Sequence, residues 1–223
     1  MNRNAGSVLD VNSPYPPPTQ PAGYPISGII LAAGTSARLG RPKQTLELWG
    51  KPLLQHVIDA AAGARMREVI VVLGHRAASI ADVLQVPHGT RLIENPDFRA
   101  GQSTSLRAGL DACDRGCEAA AVLVGDQPGL TTAMIDKVIA GYLAAGAQVA
   151  RACFEGAAGH PVIVDRALWS TWRVVGDRGW RNLVASAPRR LDVEMGVPLP
   201  EDVDTPEQFE ALKRAGPPET GND

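Results

Sequence analysis

Two short segments concentrate the side chains whose types and spacing could do chemistry. The first is Leu31-Ala32-Ala33-Gly34-Thr35-Ser36-Ala37-Arg38-Leu39-Gly40-Arg41-Pro42-Lys43-Gln44. It passes from an apolar run straight into a loop with two glycines, two hydroxyls, two arginines and a lysine. Glycine lets backbone N–H groups turn toward an anion with no Cβ in the way. Arg38 and Lys43 could then neutralise a polyphosphate. The loop is not a Walker A loop, because no Ser or Thr follows Lys43, and it is not G-x-G-x-x-G either. The second segment is Val124-Gly125-Asp126-Gln127-Pro128. A carboxylate just past a buried strand could hold Mg2+ against phosphate oxygens. It could equally cap the following turn, since Asp-x-Pro is ordinary turn chemistry. By itself this segment leaves both readings open; beside a phosphate-type loop the metal reading leads.

These segments need elements to position them. Ser27–Ala33 reads as a buried strand ending at Gly34. Pro52–Ala64 places Leu54, Val57, Ile58 and Ala61 on one helical face. The pattern then predicts strand Glu68–Leu73, helix Ala77–Leu84, strand Thr90–Ile93 and helix Ser103–Ala112, with Ser103 as N-cap. Strand Ala119–Val124 and helix Thr131–Leu143 follow, the latter striped by Ile135, Val138, Ile139 and Tyr142. Beyond residue 146 the alternation loosens. Strands near Gln148–Ala152 and Pro161–Val164 and helices near Asp177–Ala185 and Pro206–Arg214 are expected. Strands alternating with helices imply right-handed crossovers and a mainly parallel sheet covered on both faces, a three-layer α/β domain. In such sheets ligands bind at the carboxyl ends of strands, where both segments fall.

The remaining composition narrows the class. The 223 residues suit one domain with tails: a Pro-rich stretch over 1–25, a domain over 26–215 and a short tail over 216–223. Lys plus Arg total 22 against 24 Asp plus Glu, which argues against a general nucleic-acid binder. Any anion site must therefore be local. No stretch approaches a membrane span and the first residues lack a signal-peptide core, so a cytoplasmic location is expected. Cys113 and Cys117 could sit one helical turn apart, but with Cys153 they make neither a disulfide framework nor a zinc site. Buried or half-buried thiols in a reducing compartment are expected.

Leu31–Gln44 taken with Gly125–Pro128 resembles the MobA-like nucleotidyltransferases, specifically the molybdenum cofactor cytidylyltransferases. Gly101-Gln102-Ser103-Thr104-Ser105-Leu106, Gly159-His160-Pro161, Gly176-Asp177-Arg178-Gly179 and Asp202-Val203-Asp204-Thr205-Pro206-Glu207 agree with the same pattern, so the resemblance covers about Ser27 to Leu212. Trp180, where the family often has a small residue, and the Pro-rich N-terminus depart from it. The resemblance implies a three-layer α/β/α Rossmann-like nucleotidyltransferase fold. It implies transfer of CMP from CTP to the phosphate of a molybdopterin-type acceptor, with release of pyrophosphate and dependence on Mg2+. A molybdoenzyme or cofactor chaperone is the implied recipient, with no nucleic acid or membrane partner. Carried onto this sequence, Arg38, Lys43 and Asp126 are catalytic. Leu31, Ala32, Ala33, Gly34, Arg38, Lys43, Ser103 and Ser105 hold the nucleotide. His160 and Asp177 face the acceptor, and Asp126 with Asp204, or Asp202, holds the metal. Leu-Ala-Ala-Gly tends to accompany cytidylyl transfer and Leu-Ala-Gly-Gly guanylyl transfer. Transfer to a sugar or polyol phosphate, guanylyl transfer and a non-catalytic cofactor-delivery module are the alternatives.

Overall fold

The computed structural model describes residues 24–171, 184–185 and 187–218. A seven-stranded sheet forms its centre. Its strands are β1 (Tyr24–Ala32), β4 (Met66–Leu73), β5 (Thr90–Glu94), β6 (Ala119–Val124), β7 (Val149–Phe154), β8 (Ala157–Asp165) and β9 (Arg190–Glu194). They lie in the order β5-β4-β1-β6-β8-β7-β9. Pairings among β5, β4, β1 and β6 are parallel, as is β7 with β9. β8 enters antiparallel between β6 and β7. The expected mainly parallel sheet is therefore present, interrupted where β7 and β8 form a hairpin that needs no crossover helix.

Successive side chains of a strand point to opposite faces, and this alternation builds two cores. Ile30, Val71, Leu92 and Leu123 face α1 (Leu53–Gly63) and α4 (Thr132–Ala145), meeting Leu54, Val57, Ile58, Ile135 and Val138. Ile29, Val72, Ile93 and Val122 face α3 (Gln102–Ala112), meeting Leu106 and Leu110. Gly109 lets α3 press against β1, since a Cβ there would stand 2.5 Å from Ile29 Cγ2. Helices thus cover both faces in three layers. A third, smaller cluster joins the short hairpin β2 (Glu47–Leu48) and β3 (Lys51–Pro52) to α5 (Pro206–Ala215) through Leu46, Leu48, Leu53, Val203 and Phe209.

Several expectations shift. β1 starts at Tyr24, ahead of Ser27, and pairs with β4 there. α2 (Ala77–Ala81) stops short of Leu84. Ser103 is not an N-cap: Gly101, at φ 116°, precedes α3, and Ser103 lies within its first turn. Thr131 does cap α4, accepting from Met134 N, and Thr205 with Gln208 forms a capping box on α5. β9, where Leu191 and Val193 alternate with polar residues, and the two-residue strands of the β2–β3 hairpin are additions to the expected elements. Apart from Val184 and Ala185, which are helical, the helix expected over Asp177–Ala185 lies outside the described residues, as do residues 1–23 of the Pro-rich stretch and 219–223 of the C-terminal one. Among the described residues no helix is long and apolar enough to cross a membrane.

Candidate active site

A cleft of about 590 Å3 opens at the carboxyl ends of β1 and β6, lined by Leu31, Ala32, Ala33, Gly34, Thr35, Lys43, Gln44, Ser105 and Asp126 among others. The loop after β1 is held open from within. Ser36 takes a left-handed conformation at φ 53°. Its hydroxyl accepts from Lys43 N at 3.0 Å and donates to Gln44 Oε1 at 3.4 Å. Gln44 is buried, and its Nε2 donates to the carbonyls of Ala32 at 2.8 Å and Gly34 at 3.2 Å. One amide side chain thus satisfies two strand-end carbonyls that the sheet leaves unpaired. The space a Cβ on Gly34 would occupy is open cleft, with nothing within 4 Å.

Lys43 is the hub. Its ammonium donates to Asp126 Oδ2 at 2.6 Å and to Asp204 Oδ1 at 2.8 Å. Arg38 reaches the other oxygen of Asp204 at 2.9 Å. The Lys43 side chain is only 13% exposed, against 67% for Arg38. Burial alone would push the Lys43 ammonium down; the charges and hydrogen bonds of Asp126 and Asp204 outweigh it and hold it above its ordinary value. The bond from Lys43, against some burial, and the neighbouring Lys43 and Arg38 charges hold Asp204 below the usual carboxylate range. Asp202 moves the other way, raised by burial and by the nearby Asp126 charge. Of the two readings of Asp126, the carboxylate is engaged across the cleft with the loop lysine.

Asp204 arrives from far along the chain. Val203 is fully buried and its N–H donates to Asp126 O at 3.1 Å. The α5 capping box then fixes the residue before Thr205, with Asp204 N bonding Gln208 Oε1 at 3.0 Å. Two carboxylates from distant segments therefore converge on one cation.

The predicted nucleotide residues divide. Leu31, Ala32, Ala33, Gly34, Lys43 and Ser105 line the cleft, whereas Arg38 and Asp204 stand at its edge through their mutual ion pair. Ser103 is buried away from the lining, and its Oγ has no partner among the described residues. Ser105 Oγ accepts from Asn95 Nδ2 at 3.0 Å. His160 sits in β8, two residues beyond the Val122–Val162 pair and alongside the end of β6, outside the lining. Asp177 lies outside the described residues. The sequence reading passed over Gln44 and the wall made by Phe98, Arg99, Gly101 and Gln102. Gly101 and Gln102 were visible in the motif they share with Ser103; Phe98 and Arg99, in a turn before α3, carry no local signal.

Among the described residues no three His, Cys, Asp or Glu side chains are grouped to hold a metal ion. Asp126 and Asp204 offer hard oxygen donors to one shared cation, a donor set that fits Mg2+ or Mn2+ when substrate phosphates complete the shell. The arrangement can therefore bind a polyphosphate by cations and open backbone and hold a divalent cation beside it.

Comparison with known proteins agrees with this chemistry. Residues 28–192 match the family described as MobA-like NTP transferase domain. The chain is 29% identical over 202 residues to nicotine blue oxidoreductase of Paenarthrobacter nicotinovorans, covering 84% of this chain and 96% of that one. It is 30% identical over 189 residues to the bifunctional protein GlmU of Sorangium cellulosum, covering 81% of this chain but spanning only 39% of that protein's length. Among solved structures, Rv0371C of Mycobacterium tuberculosis in complex with manganese superposes with a TM-score of 0.69 at 28% identity, over 85% of this chain and 98% of that one. The parallel sheet, the loop after β1 and the match over most of the chain lead to one conclusion: this chain belongs to the MobA-like NTP transferase family.

Proposed function

We propose that this chain transfers CMP from CTP to the phosphate of a molybdopterin-type acceptor and releases pyrophosphate. The observation that carries the transfer chemistry is the Lys43 ammonium lodged between Asp126 and Asp204 at the cleft. An oxygen of the acceptor phosphate bonds to the α-phosphorus while the bond from that phosphorus to the bridging oxygen breaks. A phosphate is already a nucleophile, so positioning and charge stabilisation dominate over base catalysis. Lys43 leaves one or both carboxylates to meet the negative charge that builds on the phosphates, and Arg38 supports it from the rim. The open backbone at Gly34 receives phosphate oxygens without a side chain in the way.

The cations Lys43 and Arg38 are cancelled by Asp126 and Asp204, so the pocket brings no surplus positive charge to a triphosphate. That balance supports a divalent cation, Mg2+ or Mn2+, entering with the nucleotide, with Asp126 and Asp204 holding it; the manganese complex of the mycobacterial relative points the same way. When bound, such an ion neutralises the α-phosphate and the departing pyrophosphate.

The base assignment rests on Ala33. A Cβ at Gly74 would stand 2.8 Å from Ala33 Cβ and 2.7 Å from Phe98 Cβ, so these residues pack into one continuous wall. The Ala33 methyl thickens that wall, which supports a pyrimidine over a purine. The acceptor assignment rests on the resemblance of the ordered motifs, with His160 and Asp177 as its proposed contacts. The test is pyrophosphate release with CTP, GTP or ATP, with molybdopterin-type cofactor or a sugar or polyol phosphate as acceptor. Release with CTP and cofactor is the expected result. Better use of GTP overturns the base assignment, better use of a sugar phosphate overturns the acceptor, and release with none of these pairs leaves the cofactor-delivery reading.

A further inference from the structure

At the opposite end of the sheet from the cleft lies a second cluster that the transfer chemistry does not use. α3 ends at Ala112, Cys113 follows as its C-cap, and a tight turn closed by Cys117 N→Asp114 O at 3.1 Å leads into β6. The cysteines are therefore not on one helical face, as their spacing allowed, but flank a turn that folds them together. Both are buried, at 8% and 2% exposure. The Cys113 thiol donates to Gly109 O at 3.4 Å, and the four-residue turn carries Cys117 back toward it, so that the two thiols influence each other's ionisation. The Arg166 guanidinium donates to Cys117 Sγ at 3.2 Å while also holding the carbonyls of Asp114 and Cys117, each at 3.0 Å. Ser27, fully buried on β1, donates to Glu68 Oε1 at 2.8 Å, and its hydroxyl helps lower both thiols.

We infer that Cys113 and Cys117 are a reversible redox pair that a small hydroperoxide closes into a disulfide linking the end of α3 to the start of β6. A guanidinium on one sulfur and a neighbouring thiol that can deliver a proton are the features that turn a buried cysteine into a nucleophile. The Cys117 thiolate attacks the terminal peroxide oxygen: an S–O bond forms, the O–O bond breaks, and hydroxide leaves as water with the Cys113 proton. The Cys113 thiolate then attacks the sulfur of that sulfenic acid: the S–S bond forms, the S–O bond breaks, and the hydroxide leaves as a second water with a proton from solvent, replacing the one Cys117 released on ionising. Two thiols are oxidised, and hydrogen peroxide is reduced to two waters. Arg166 is exposed and touches Cys117 Sγ at 3.2 Å, so the buried sulfur lies one side chain from solvent.

Arg166, after β8, and Cys113, at the end of α3, act on Cys117; Glu68 of β4 acts on Cys113 by its charge, Arg91 of β5 is bonded to Glu68, and Asp114 lies in the turn between the cysteines with its N–H on Glu68. The Cys113 hydrogen bond, against burial, with Ser27 and Arg166 adding to it, lowers Cys117 to about 6. The bond to Cys117, together with burial, pushes Cys113 far up. Cys117 is therefore the sulfur of the pair that ionises first.

Full-length native protein treated with hydrogen peroxide tests this. Intact mass should fall by two hydrogens. Trypsin, cutting after Arg115, should yield a linked pair of peptides carrying Cys113 and Cys117, separable by dithiothreitol. Cys153, the third thiol, should stay free under the same dose. The rate should level off above neutral pH, whereas an ordinary thiol near 8.5 gains almost tenfold between pH 7 and 8. Cys113→Ser should stop at a dimedone-trappable sulfenic acid on Cys117, and Arg166→Gln should slow the reaction several-fold at pH 7 but not at pH 9. The wild-type peptide map decides the matter even if either variant folds poorly. Consumption of Cys153 alone, sulfinic acid on Cys117 without the bridge, inert thiols, or a rate still climbing tenfold per pH unit through 8 overturns the inference.

Discussion

The two ends of the sheet carry similar side chains and put them to opposite uses. At the carboxyl ends of β1 and β6, Lys43, Asp126, Asp204 and Arg38 bond to one another across a cleft. At the amino ends, Glu68, Arg91 and Arg166 each tie down backbone as well as side chains: Glu68 accepts from Asp114 N at 2.6 Å, Arg91 donates to Glu68 and to Ala112 O, and Arg166 holds two carbonyls. Charges whose partners are other movable side chains beside open volume can be redirected to a ligand. Charges that satisfy strand and helix termini are committed to the fold. Charged residue types alone would not have separated the two ends; partners and space do.

That contrast can be broken most decisively at Lys43. Lys43→Ala should lower kcat by on the order of 10²–10³, the cost of removing one placed electrostatic contact. Because Lys43 is mostly buried between two carboxylates, the variant should also melt somewhat below wild type, as Asp126 and Asp204 are left without their shared cation. Turnover is measured well below that melting point; wild-type turnover there would show that the cleft cluster is structural like its counterpart. Asp126→Asn keeps the shape and removes one charge. A fall of roughly 10² in kcat is expected, partly restored by raising Mg2+ or Mn2+. A metal titration that superposes on wild type would return Asp126 to the role of turn residue.

The smallest effect on activity belongs to the opposite end. Glu68→Gln weakens the buried acceptor of Ser27, Arg91 and Asp114 N, which should cost about 1–3 kcal/mol of stability. Denaturant unfolding should register that loss while kcat/KM for the nucleotide stays within about twofold, since the cleft is built from the other strand ends. A large change in kcat/KM without loss of stability would erase the distinction between the two ends.

Local chemistry made much of this molecule legible in its sequence. The apolar runs of β1, β4 and β6, the helical stripes of α1 and α4, and the glycine-rich loop holding Arg38 and Lys43 all follow from residues within a few positions of one another, where period and turn preference act. Only the tertiary structure decided the rest. Lys43 meets Asp204 across 161 residues of chain, through the burial of Val203 and the cap of α5, and no local pattern encodes that distance. Ser103, a natural N-cap by type, sits inside the helix because Gly101 supplies the required backbone turn. β8 enters antiparallel because a two-residue turn at Glu155 and Gly156 joins it to β7, while β9, with polar residues alternating along an edge, depends on that neighbour rather than on its own period. Cys113 and Cys117 face each other because α3 stops one residue before them and the chain turns at once. Short-range sterics and hydrophobic period fix which elements form; which distant side chains share a site is set by how those elements pack.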